Sequence, residues 1–311
     1  SMVEPFQWLG IKVSFYRMTA QLGVDIGDFA LKLREGPQAA LFVDYFGFEQ
    51  NNQAALEAAG RAGVPVLRDC AHRLFLPELD ARFAGAVSSL WKIIPSADGG
   101  FVVVSGDTSL PRPSAPSLMR QVSGCKSILS RMWDRRSETV SSVAEVEGGC
   151  GCQDDEVEND ASQRELRYFE PALHGTGAAT CTNMQRFFYD YKVIAKRRRA
   201  NYRALVTMLG DVDGVSPLYP ALPDGTVPYV MPVVLDDPRL QYAQLRQHGI
   251  GALRWEDSAV TTCGVSTDYR ERLVQLPCHQ DLATDDLHEI ALALVVQDEA
   301  VASRGVERET A

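Results

Sequence analysis

Residues 66–104 read VLRDCAHRLFLPELDARFAGAVSSLWKIIPSADGGFVVV, and the rest of the chain is organised around them. The apolar run 64–67 ends in Arg68-Asp69, the pattern of a buried strand that delivers an acid to the loop beyond it. Ser89 and Lys92 precede the pair Gly99-Gly100, and the apolar run 101–104 is predicted as a further buried strand. An acid, a lysine and a Gly-Gly turn therefore share a pocket-sized span.

A lysine amine can form a Schiff base with a carbonyl cofactor. A buried carboxylate can keep the pyridinium nitrogen of pyridoxal phosphate protonated, so that the ring serves as an electron sink. Composition does not carry that chemistry, but the residues resemble a family that uses it. Asp69-Cys70-Ala71-His72 is similar to the Asp-x-Ala-Gln/His signature of the DegT/DnrJ/EryC1/StrS aminotransferases, and Lys92 stands where their Schiff-base lysine stands relative to Gly-Gly. The stretch 43–50 resembles the family's strand-end loop with a Tyr/Phe-Gly pair, and 191–202 (YKVIAKRRRANY) its long Arg-rich helix. His248-Gly249-Ile250, Arg254-Trp255 and Leu276-Pro277-Cys278-His279-Gln280 resemble landmarks of its small domain.

The resemblance implies an α/β chain of the fold type I, pyridoxal phosphate-dependent transferase kind. A large domain with a mainly parallel sheet would occupy 1–180, and the long helix with a smaller α+β domain 181–311. It implies that Lys92 holds pyridoxal 5'-phosphate and moves the proton, that Asp69 faces the ring nitrogen, that His72 lies near the ring hydroxyl and that Ser89 contacts the phosphate. Ser89 stands closer to Lys92 than the relatives' serine does. The implied partners are an amino donor and a keto sugar or related carbonyl intermediate of a biosynthetic pathway, with the site formed in a homodimer. The relatives carry a further segment before the equivalent of Phe6, with a helix N-terminus for the phosphate; it has no counterpart in these residues, and Ser89, backbone groups or another protomer are expected to replace it. The rival class is a non-catalytic remnant of the fold that binds a partner or small molecule.

The bulk properties bound the alternatives. A chain of 311 residues, 45% apolar, with 24 Gly and 16 Pro, can bury a full α/β core. A net charge of −10 disfavours binding to a nucleic-acid backbone. No apolar run reaches about 18 residues, so no membrane span is expected. No basic-then-apolar leader opens the chain, and Ser1-Met2 reads as an expression remnant. Seven cysteines without scaffold spacing suit a reducing cytoplasm.

In order along the chain, 13–16 is predicted as a strand, 25–34 as a helix capped by Asp25, and 39–45 as a second strand. The Ala-rich segment 53–62 is predicted as a helix before the strand 64–67, an alternation that suits parallel βαβ units with ligands at the carboxyl ends of the strands. The segment 118–133 has helical apolar spacing interrupted by Gly124. The segment 145–160 is acidic, lacks Lys and Arg, and sits within a loop expected at about 142–165. Phe187, Tyr191, Ile194, Tyr202, Leu205 and Leu209 form a stripe on a helix whose other face carries 196–199, expected to be a solvated basic surface. Strands are predicted at 228–235 and 252–255, and helices at 239–247 and 285–300.

Other chemistries rank lower. Cys150 and Cys152 lack a second ligand pair at zinc spacing. No Gly-x-Ser-x-Gly elbow or Gly-x-Gly-x-x-Gly fingerprint occurs.

Overall fold

A computed structural model describes residues 2–73, 80–94, 96, 98–106, 109–137, 171, 174–255 and 262–295. The expected acidic loop, with Cys150 and Cys152, lies outside them. After a short helix α1 (Glu4–Trp8), helix α2 (Ile26–Arg34) begins where the Asp25 carboxylate accepts the Asp28 N–H, as its spacing predicts. Strand β1 (Ala40–Val43), helix α3 (Gln53–Arg61) and strand β2 (Val66–Asp69) complete the expected βαβ unit. Strand β2 starts later than predicted because Pro65 has no N–H for the ladder, although its carbonyl accepts the Ala40 N–H at 3.0 Å.

Strands β3 (Gly85–Ser89) and β4 (Gly100–Val104) complete a sheet of order β1-β2-β3-β4, parallel up to β3 and antiparallel at β4. Strand β3 is built of small residues because its neighbours come close: a Cβ on Gly85 would lie 2.9 Å from the Val103 carbonyl, and one on Gly100 only 2.3 Å from that of Ser88. The run 101–104, expected to be buried, forms an exposed edge strand with Val102 57% accessible. The expected strand at 13–16 does not form. That segment docks through the Tyr16 side chain instead, whose hydroxyl donates to the Leu41 carbonyl at 2.8 Å and whose ring packs edge-on against Phe29 and Phe42.

Helix α4 (Leu118–Ser137) crosses α5 (Thr180–Gln185) at Gly124, where a Cβ would lie 2.9 Å from that of Ala179. The helical spacing in α4 is real, but among the described side chains it does not mark a buried face: Leu118, Met119, Val122 and Leu129 are exposed, and Ile128 is buried.

Helix α6 (Tyr191–Leu209) leads into the second sheet, of order β5-β6-β8-β7 and antiparallel throughout. Its strands are β5 (Val215–Pro217), β6 (Val230–Leu235), β7 (Leu253–Arg254) and β8 (Leu273–Pro277), with helices α7 (Pro238–Gln247), α8 (Gly264–Arg272) and α9 (Thr284–Val295) around them. Tyr202, Leu205 and Leu209 of α6 enter a core with Met231, Val233, Leu276, Ile290 and Leu294. Phe187 does not belong to the stripe: it lies in a 3-10 turn before α6 and is exposed. The basic face is also corrected, because Arg198 points inward and is only 2% accessible. Leu22, Phe46 and Phe48 join this second core, so the loop after β1 packs against the second sheet.

Candidate active site

The parallel strands end in a line of acids. Asp44 follows β1 and Asp69 ends β2, with the Asp44 N–H on the Asp69 carbonyl at 2.9 Å and the Cys70 N–H on the Val87 carbonyl at 2.7 Å. Paired residues on parallel strands share a face, so Asp69, its partner Val87 and then Ser89 line one side of the sheet. Val87 is 43% accessible there, an open apolar floor beside a buried carboxylate. The opposite side carries Phe42, Arg68, Ala86 and Ser88, all buried.

The loop 69–72 is held at both ends by one carboxylate. Arg68 reaches Asp44 at 3.0 Å and Arg73 reaches it at 2.7 Å, and both arginines also contact Glu49, at 3.2 and 3.1 Å. Two guanidiniums against two carboxylates leave the cluster neutral, which is how so much charge can be buried. Burial alone would raise the Glu49 pKa, but the two arginines outweigh it and hold it below the ordinary value. The Cys70 thiol donates toward Asp44 at 3.6 Å, and burial pushes its pKa up to about 12, so it is an inert thiol. Within the loop the Asp69 carboxylate accepts the Ala71 N–H at 2.8 Å.

His72 sits in a stack of rings, 4.6 Å from Tyr229 on one side and 6.1 Å from Phe46 on the other. The Phe46 N–H donates to His72 Nδ1 at 3.1 Å, which leaves Nε2 as the ring's proton carrier and donor. Phe46 pays for this with a left-handed backbone, φ 59°, unusual for a non-glycine residue. The next residue must be glycine: at Gly47, φ 93°, a Cβ would lie 2.6 Å from the Val227 carbonyl. The turn also lets the Phe46 carbonyl accept the Tyr229 N–H at 2.8 Å. Trp255 packs on Tyr45 and Phe46.

Lys92 follows β3 in a turn and is half-buried, its Nζ 5.2 Å from the centre of the Tyr229 ring and 4.3 Å from that of Trp91. Burial lowers its pKa, and Asp69 acts the other way. Asp69 is raised by burial first and by Asp44 second, against the Ala71 N–H and Lys92. Burial, reinforced by Lys92, drives His72 down to about 3, so it is neutral at physiological pH. Lys92 thus interacts electrostatically with both Asp69 and His72, whereas Ser89 is placed on the same sheet face as Asp69 and opposite Gly100. Sequence spacing missed Tyr229, which no local motif marks. The Phe46-Gly47 pair was the available signal for the turn that docks against it.

The histidine makes a pH prediction. Its folded pKa lies below the unfolded value of about 6.5, so the unfolded chain binds the extra proton between those values and stability falls as pH drops through that window. Denaturant midpoints measured from pH 7 to 4 should decline, and His72→Gln, which can still accept the Phe46 N–H, should flatten the decline. An unchanged slope in that variant would assign acid sensitivity to other groups.

Two sheets joined by a long helix, with the site at the carboxyl ends of the parallel strands, make this the fold of the fold type I transferases. Among solved structures the chain is similar to the sugar aminotransferase CalS13 from Micromonospora echinospora, at 18% identity and a TM-score of 0.60 over 93% of this chain and 76% of that one. It is similar to a DegT DnrJ EryC1 StrS aminotransferase from Brucella abortus, at 15% identity and a TM-score of 0.60 over 94% of this chain and 75% of that one. It is also similar to 3-amino-5-hydroxybenzoic acid synthase, at 17% identity and 0.60 over 97% and 77%. No family model matches the chain, and no curated protein does.

Proposed function

We propose that this chain is a pyridoxal phosphate-dependent aminotransferase of the DegT/DnrJ/EryC1/StrS kind, acting on a keto sugar or related carbonyl intermediate. The observation that carries the proposal is the half-buried Lys92 amine, biased toward its neutral form and electrostatically linked to both Asp69 and His72 on a fold shared with aminotransferases. The residues fit the cofactor on their own chemistry: the Asp69 carboxylate and the exposed apolar Val87 share one face of the sheet, with the half-buried Lys92 amine within electrostatic reach. When bound, pyridoxal phosphate supplies an electron sink and carries the amino group.

Lys92 would hold the cofactor through its carbonyl group and would serve as general base and acid for the proton; a depressed pKa suits it to both. Asp69 would keep the ring nitrogen protonated, His72 would offer its Nε2–H to the ring hydroxyl, and Ser89 would bind the phosphate. Three titratable groups converging on one half-buried site speak against the non-catalytic alternative. The two sheets support a division near residue 180. The exposed apolar side chains of α4 and β4 suit a second copy of the chain, as a homodimer requires.

Free cysteines among the described residues agree with a reducing, cytoplasmic setting. No helix among those residues is long and apolar enough to cross a membrane, and none of their His, Cys, Asp and Glu side chains cluster as a metal site.

The test is a titration of purified protein with pyridoxal phosphate, followed by an amino donor and a panel of keto sugars. A visible absorbance band that an amino donor bleaches and a keto acceptor restores is the expected result. A colourless protein whose melting temperature does not respond would reject the proposal, and a sedimentation mass of one chain would remove the dimer from it.

A further inference from the structure

Arg198 is among the most buried side chains of the molecule, and its hydrogen bonds converge on the Lys92 site from the far side. From α6, its Nη1 donates to the Tyr229 carbonyl at 2.8 Å and to the Pro228 carbonyl at 3.1 Å, and its Nε donates to Gln280 Oε1 at 2.7 Å. Gln280, buried just beyond β8, passes the connection on: its Nε2 donates to the carbonyl of Ile93, the residue after Lys92, at 3.3 Å, and to Asp281 at 3.1 Å. Helix α6 secures the same segment twice more, through Asn201 Nδ2 on the His279 carbonyl at 2.7 Å and Arg197 on the Gln280 carbonyl at 3.4 Å. One rigid guanidinium thereby grips the backbone under Tyr229 and, through one amide, the backbone next to Lys92. Those two residues meet in the site, amine against ring, and the same ring stacks on His72.

We propose that Arg198 is a positioning residue for Lys92: acting through Gln280 and the Tyr229 backbone, it sets the placement of the Lys92 amine relative to the Tyr229–His72 ring pair. The inference rests on the aminotransferase reading for its consequence in turnover but not for its geometry. The guanidinium fork matters because its donors are fixed in one plane, so a single side chain holds two carbonyls and an amide at once. A lysine ammonium, a point charge on a flexible stem, cannot hold all three in the same register. An amine displaced by even 1 Å from its working geometry loses much of the benefit of being held there.

The experiment compares wild type, Arg198→Lys, Gln280→Leu and, as a control of stability alone, Leu209→Ala, which opens the core of α6 away from the site. In cofactor-free protein, a small aldehyde with cyanoborohydride is used to label amines, and the rate at the Lys92 peptide is read against exposed Lys12 by mass spectrometry. Wild-type Lys92 should label faster than Lys12. In Arg198→Lys and Gln280→Leu the Lys92 rate should fall about tenfold or more, while Leu209→Ala, with a lower melting temperature, should stay within about twofold of wild type. With cofactor, donor and acceptor, the same two variants should lose about 10- to 100-fold in kcat with little change in the donor KM.

Variants that melt lower yet label Lys92 at the wild-type rate would overturn the proposal and leave Arg198 a core residue only. If Arg198→Lys does not fold, Gln280→Leu still decides, since it keeps both Arg198 bonds to Pro228 and Tyr229 and removes the amide that links Arg198 Nε to the Ile93 carbonyl, together with its bond to Asp281. If wild type takes up no cofactor, the aminotransferase reading falls, and the labelling comparison still tests the placement of Lys92.

Discussion

Replacing Lys92 with alanine should remove borohydride-fixed cofactor from the protein and lower transamination by at least about 10²- to 10⁴-fold, the usual worth of a positioned proton-transfer group. In wild type the fixed cofactor should be found on the peptide that holds Lys92, because this amine combines partial burial with a lowered pKa and contact with an aromatic ring. Lys126 and Lys192 lie on α4 and α6. A label on either of them in place of Lys92 would withdraw the assignment. The variant should fold, since removing a half-buried amine takes away a desolvation cost as well as an attraction to Asp69.

Asp44→Ala should be the most damaging single change to stability at the site. The carboxylate is 4% accessible and receives both Arg68 and Arg73. Its loss leaves two buried guanidiniums with Glu49 as their one carboxylate among the described residues, and breaking a buried pair on one side costs about 3–5 kcal/mol. Urea denaturation would read this as a lowered midpoint with an unchanged slope. Asp44→Asn, which keeps the shape and one acceptor oxygen, should recover part of the loss. A change below about 1 kcal/mol in the alanine variant would mean that water or Glu49 replaces the lost partner.

Much of this was legible in the sequence wherever function and local spacing coincide. Lys92, Asp69 and His72 belong to one short stretch, and the adjacency of the parallel strands β2 and β3 brings Lys92 within electrostatic reach of the other two. Helices α2, α3 and α7 were expected from the sequence, α2 with its cap at Asp25, whereas the Asp237 carboxylate that accepts the Leu240 N–H and caps α7 was not. What escaped depends on long-range packing. Apolar content alone could not distinguish a central strand from an edge, so 101–104 was expected inside and lies exposed. A run of three arginines reads as a wet surface, but helical rotation turns Arg198 inward onto carbonyls supplied from 228–229 and onto the side chain of Gln280. Tyr229 meets His72 only because the left-handed turn at Phe46-Gly47 docks the end of β1 against the start of β6.

The double grip of Asp44 on Arg68 and Arg73 has a consequence for how this segment can change. The loop that carries Asp69 and His72 is a span of fixed length stretched between two anchors on a single carboxylate, closed by the Arg73 N–H on the Cys70 carbonyl at 2.7 Å. Inserting or deleting one residue between the anchors would force one arginine off Asp44 or turn His72 out of its ring stack. A library built here should therefore accept new side chains at the partly exposed Ala71, reject most at the fully buried Cys70, and return almost no functional members of altered length.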